Sequence, residues 1–95
     1  MSEEEYVVRT KNGSFYPVVV KRGLLGKTQM VITLGNREHP VNAISEKNDP
    51  VDIARSNPAA TIDEGNLKPG KIIYFAEGRS LGNTSRIEKV YRKVA

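Results

Sequence analysis

Cysteine is absent from the 95 residues. That excludes disulfides, zinc fingers, thiol catalysis and cysteine-ligated iron–sulfur clusters, and it leaves the hydrophobic core to hold the fold alone. Histidine is nearly absent, since His39 is the only one. One histidine without thiols cannot build the usual nitrogen–sulfur metal site from a single copy of the chain, so no metal is expected. Its setting, Arg37-Glu38-His39-Pro40, reads as a surface turn leading into a strand, with nothing beside it that resembles a nucleophile elbow. Apolar runs are short, and none approaches the ~20 residues of a membrane-spanning helix. No membrane partner is expected. The start, Met1-Ser2-Glu3-Glu4-Glu5, lacks the basic and apolar stretches of a secretory signal, so a cytoplasmic location is expected, with residues 1–5 as a flexible acidic tail.

Carboxylates offer little chemistry. Asp63 and Glu64 are adjacent, so on a strand they would point to opposite faces, and Asp49 with Asp52 is too few ligands for calcium. No pair of groups stands out as nucleophile and base. The chain is expected not to be an enzyme and to need no cofactor.

What is present points to sheet. Val and Ile together number 17, against five Leu and six Ala; β-branched side chains lose rotamer freedom in helices and suit a pleated surface. Eight Gly, five Pro and seven Asn fall between short apolar runs, the punctuation of a small all-β domain. Strands are predicted over Tyr6 to Thr10, Phe15 to Lys21, Thr28 to Leu34, Pro40 to Ile44, Lys71 to Ala76 and Arg86 to Val94. Asn12-Gly13 and Gly35-Asn36 supply turns, Asn-Gly being suited to the positive φ of a tight hairpin. Pro17 has no amide to donate, which places its strand at an edge or a bulge. Residues 49–56 read either as a short helix begun by Asp49-Pro50 or as a strand pairing with Val41 to Ser45. The expected fold is mainly β: one domain, an antiparallel barrel or sandwich of five to six strands with at most one short helix.

Two segments invite a phosphate. Gly23-Leu24-Leu25-Gly26-Lys27-Thr28 ends like a nucleotide-binding loop, but two residues separate its glycines where four are needed to wrap the phosphates. The residues after it alternate like a strand, whereas that motif requires a helix. The segment Arg79-Ser80-Leu81-Gly82-Asn83-Thr84-Ser85-Arg86 reads as a long polar loop between two strands. Its backbone amides and two arginines could hold phosphate or carboxylate.

Charge is also unevenly placed. Residues 9–27 carry five cations and no anion, residues 68–95 sum to +5, and residues 1–8 and 46–64 each sum to −3. The two basic blocks would merge into one patch if the first and last strands were neighbours, and such a patch attracts anionic partners. Tyr6, Tyr16, Tyr74 and Tyr91 could serve as stacking rings for single-stranded nucleic acid, or close the ends of a β core. Of Tyr74 and Phe75, one is expected to pack inward and the other to be presented outward.

The expected function is reversible, non-enzymatic binding of a phosphate-bearing anion, either nucleotide-sized or nucleic acid, as a sensor or a sequestering sponge. Arg79, Ser80, Asn83, Thr84, Ser85 and Arg86 would make the contacts, and Lys21, Arg22 and Lys27 would add electrostatic support. The alternative is an oligomeric structural or adaptor protein, such as a virion or assembly component. It would associate as a homo-oligomer through β edges, because a strand edge at Pro17 beside Val18-Val19-Val20 would need cover.

Overall fold

The computed structural model describes residues 2–23, 27–46 and 64–93. Seven strands form one antiparallel sheet: β1 (Ser2–Thr10), β2 (Phe15–Arg22), β3 (Thr28–Leu34), β4 (Arg37–Ser45), β5 (Ile72–Glu77), β6 (Ser80–Asn83) and β7 (Ile87–Arg92). Their order across the sheet is β6-β5-β4-β3-β2-β1-β7. Consecutive strands are therefore neighbours except the last, which returns to lie beside the first.

The sheet curls because two strands carry an extra residue. In β4 the register shifts between Val41, opposite Phe75, and Ala43, opposite Tyr74, leaving Asn42 over. In β7, Lys89 faces Arg9 and Ile87 faces Thr10, leaving Glu88 over. Such bulges bend a strand and increase its twist. The chain leaving β6 continues along β5, Thr84 N–H donating to the Ile73 carbonyl (2.9 Å), and the curl then brings the start of β7 against the residues before β5: Ile87 N–H donates to the Lys71 carbonyl (2.8 Å) and Gly70 N–H to the Ile87 carbonyl (2.9 Å). The result is a half-barrel closed at one end.

Its concave face holds the core. Val8, Val18, Val20, Ile32 and Ile73 are fully buried, joined by Met30, Val41, Leu67, Phe75 and Ile87. Ile72 and Tyr74, the alternate residues of β5, are buried in a second small cluster with Ala43 and Leu81 packed against them. Both Tyr74 and Phe75 are thus buried, and neither ring is presented outward. A four-residue apolar stretch buried on both faces is the mark of an interior strand.

Most strand limits follow the alternation in the sequence, and four expectations are corrected. The acidic start is strand rather than tail: Ser2, Glu3, Glu4 and Glu5 lie opposite Arg22, Lys21, Val20 and Val19. His39 lies inside β4 opposite Ile32, not in a turn; its Nδ1 is 3.2 Å from the Ala76 carbonyl. Val18 to Val20 sit mid-sheet between β1 and β3, so the strands with a single ladder neighbour are β6 and β7. Pro17 faces Val7 on β1, just beyond Val18, where pairing with β3 begins, so its missing amide interrupts no ladder. Finally, Ser80 to Asn83, expected as loop, form the seventh strand, joined to β5 by the two-residue turn Gly78-Arg79. The choice between helix and strand for residues 49–56 lies outside the described residues, as do Leu24, Leu25 and Gly26.

Candidate functional site

The residues singled out from the sequence do not converge. Arg79 is exposed in the turn that ends β5, whereas Arg86 donates through Nη1 to the carbonyls of Glu46 (3.0 Å) and Gly70 (2.9 Å) at its beginning. The seven residue steps from Lys71 to Gly78 span about 23 Å at ~3.3 Å each. One phosphate cannot bridge the two arginines. Thr84 is buried, and its hydroxyl accepts from the Ile73 amide (3.3 Å) and donates to the Ser85 carbonyl (2.8 Å). Asn83 Nδ2 donates to the Thr84 carbonyl (3.0 Å), Ser80 is exposed on the edge strand, and the Ser85 Oγ is buried without a partner. Thr84 extends the β5–β6 ladder by one rung, and Arg86 fastens the closure of the half-barrel.

Lys21, Arg22 and Lys27 lie around the β2–β3 hairpin, at the opposite end of β1 from Arg86. Arg22 pairs with Ser2, whereas the Arg86 carbonyl accepts from Lys11 N–H just past Thr10, a separation of about 30 Å along β1. Lys21 and Lys27 are exposed. Arg22 is committed to Glu4, whose carboxylate also takes Arg92: Arg22 Nη2 is 3.2 Å and Arg92 Nη2 2.9 Å from it, and the Tyr6 hydroxyl donates to it at 2.6 Å. These contacts tie the ends of β1, β2 and β7 together. The Tyr6 and Arg22 hydrogen bonds, helped by the charges of Arg22 and Arg92, outweigh partial desolvation and hold the Glu4 carboxyl below its ordinary value of 4.5. A carboxyl lowered on folding stabilises the fold above its unfolded pKa, and that contribution fades as pH falls through the folded value. Glu4→Gln should therefore lower the denaturation midpoint at pH 7 and differ little from wild type well below pH 4.5. A gap between the two that persists unchanged in acid would count against this network.

The two basic blocks do meet, because β7 lies beside β1. On β1, Tyr6, Val8 and Thr10 face the core, so Glu5, Val7 and Arg9 point outward. Residues directly opposite one another share a face, which extends this outer surface across three strands. Arg9 has Phe15 of β2 on one side and Lys89 of β7 on the other; Val7 has Pro17 and Tyr91 in the same positions. Further along, Glu5 faces Val19, and its backbone carbonyl accepts from Lys93 N–H (2.9 Å).

Within this patch lie Phe15, 59% exposed, and Tyr91, 38% exposed, the exposed large hydrophobic side chains among the described residues. Each carries a cation. The Arg9 guanidinium is 5.9 Å from the Phe15 ring centroid, and Lys89 Nζ is 5.1 Å from that of Tyr91. Such exposed contacts are worth about 0.5–1 kcal/mol. The nearest carboxylate to Arg9 is Glu88, at a long 3.9 Å with both side chains nearly half exposed, so little holds this cation back from an incoming anion. Lys93 is paired with Glu5 at 3.3 Å. The sequence reading named Tyr91 and missed Phe15, although counting back across the Asn12-Gly13 turn sets Phe15 opposite Arg9. Comparison with protein-family models, curated proteins and solved structures finds no match for this chain.

Proposed function

We propose that this chain binds nucleic acid, without turnover, through the outer face of β2, β1 and β7. The observation that carries the reading is the juxtaposition of Arg9 with Lys89, which joins basic blocks 80 residues apart in the sequence on one sheet surface beside two exposed rings. Lys11 follows at the end of β1 nearer Arg9, and Lys93, paired with Glu5, lies beyond Tyr91 at the other end. Cations spread along a sheet suit a partner with repeated charge rather than a single phosphate, and neutralising several phosphates releases condensed counterions. A small domain that sequesters or senses such a polymer needs no catalytic group.

The reading is tested by titrating a labelled oligonucleotide against the protein at several salt concentrations. Wild type should give a log affinity that falls linearly with log salt. Arg9→Gln with Lys89→Gln should weaken binding and flatten that slope by about 1.4, since each phosphate contact on a single strand contributes ~0.7. Arg37→Gln, in the exposed start of β4, should bind as wild type does. Loss on Arg79→Gln, with the Arg9 and Lys89 variants unaffected, would move the site to the 79–86 segment and overturn this assignment.

A further inference from the structure

We infer that the nucleic acid taken by this face is single-stranded, with one base stacked on Phe15, a second on Tyr91, and the sugar–phosphate backbone crossing Arg9 between them. The inference rests on the reading above and adds the form of the polymer and its register. Phe15 and Tyr91 stand on the two outer strands of the trio, offset by one outward-facing position: Phe15 is level with Arg9, and Tyr91 with Val7. Two strand spacings of ~4.8 Å and two residue steps of ~3.4 Å put their Cα atoms about 12 Å apart on the diagonal. Bases that remain stacked rise only ~3.4 Å per nucleotide. Two neighbouring bases of a regular helix therefore cannot reach both rings, whereas a strand whose bases are splayed apart can.

A duplex offers this surface phosphates and groove edges but keeps its base faces covered, so it would use the cations and leave both rings in water. A single strand uses both. The arrangement also couples the two kinds of contact. Stacking a base on an aromatic ring is worth more than an exposed cation–π contact, so an arriving base displaces Arg9 from Phe15 and Lys89 from Tyr91. Each freed cation is then within reach of the phosphate attached to that base. Val7 and Pro17, between the rings, form an apolar floor with no charge to desolvate.

The experiment measures anisotropy with labelled ten-nucleotide single strands of RNA and of DNA, with a duplex of the same sequence, and with inorganic polyphosphate as a base-free competitor. Single strands should bind at least tenfold more tightly than the duplex. Phe15→Ala and Tyr91→Ala should each weaken single-strand binding by about 5- to 150-fold while leaving polyphosphate competition intact, which also reports that the variants are folded. Phe15→Tyr and Tyr91→Phe should retain binding. A preference for RNA or for DNA identifies the source of the strand, and either upholds the inference. Equal affinity for strand, duplex and polyphosphate, insensitive to both rings, would overturn it and leave the polyanion reading standing. No binding to any of the probes would overturn both.

Discussion

Replacing Ile73 with Ala should lower the unfolding free energy by about 2–5 kcal/mol, the cost of truncating a large aliphatic side chain in a packed core. For a domain of 95 residues, whose total stability is on the order of 5–14 kcal/mol, that loss is large. Ile73 is fully buried on the concave face, opposite Ile44 across the β4–β5 ladder. Its backbone is held as firmly as its side chain: the carbonyl accepts from Thr84 N–H, and the amide donates to the Thr84 hydroxyl. A cavity there opens beneath an interior strand, between β4 and the chain leaving β6, and a backbone fixed on both sides cannot easily move to fill it. Val31, half-buried on the outer face of β3, provides the comparison, and Val31→Ala should cost about 1 kcal/mol. Urea titrations of both variants measure the difference. Equal midpoints for the two would mean that the load-carrying core is not on the concave side.

The parts of this fold that were legible in the sequence are those set by local chemistry. Alternation of Met30, Ile32 and Leu34 with polar or smaller neighbours specifies β3, and Asn12-Gly13 specifies the hairpin of β1 and β2, with Gly13 at a φ of 86°. The illegible parts depend on partners distant in the chain. Glu3, Glu4 and Glu5 have poor strand propensity; they are strand because β2 offers them a ladder and two cations, Lys21 and Arg22, at the same end. Ser80 to Asn83 contain one apolar residue, Leu81, and take strand form because β5 is already there to pair with. The outer face shows the same limit. Arg9 and Phe15 could be matched by counting across their hairpin, but nothing local places Lys89 and Tyr91 beside them. That step needs β7 to return to β1, a pairing between the two ends of the chain.

Gly82 tests the pairing of β6 with β5 most sharply, because two opposing effects give its substitution opposite signs. Gly82→Ala in a strand should by itself stabilise, by about 0.5–1 kcal/mol, since Ala restricts the unfolded chain more. Gly82 has no positive φ to protect. Its space, however, is taken: a Cβ there would lie 2.5 Å from Cε2 and 2.6 Å from Cζ of Phe75, its direct partner on β5. The Phe75 ring cannot simply swing aside. It is 5% exposed, belongs to the core cluster and has His39 against it at a centroid distance of 5.4 Å. Overpacking of this kind typically costs about 1–3 kcal/mol, so the steric effect wins and Gly82→Ala should destabilise. Shortening the ring identifies the cause. In a Phe75→Leu background, itself less stable, Gly82→Ala should cost little or even stabilise, giving a coupling of at least ~1 kcal/mol in the double-mutant cycle. If Gly82→Ala were equally harmful in both backgrounds, the Phe75 ring would not be what keeps position 82 a glycine, and the register of β6 on β5 would have to be redrawn.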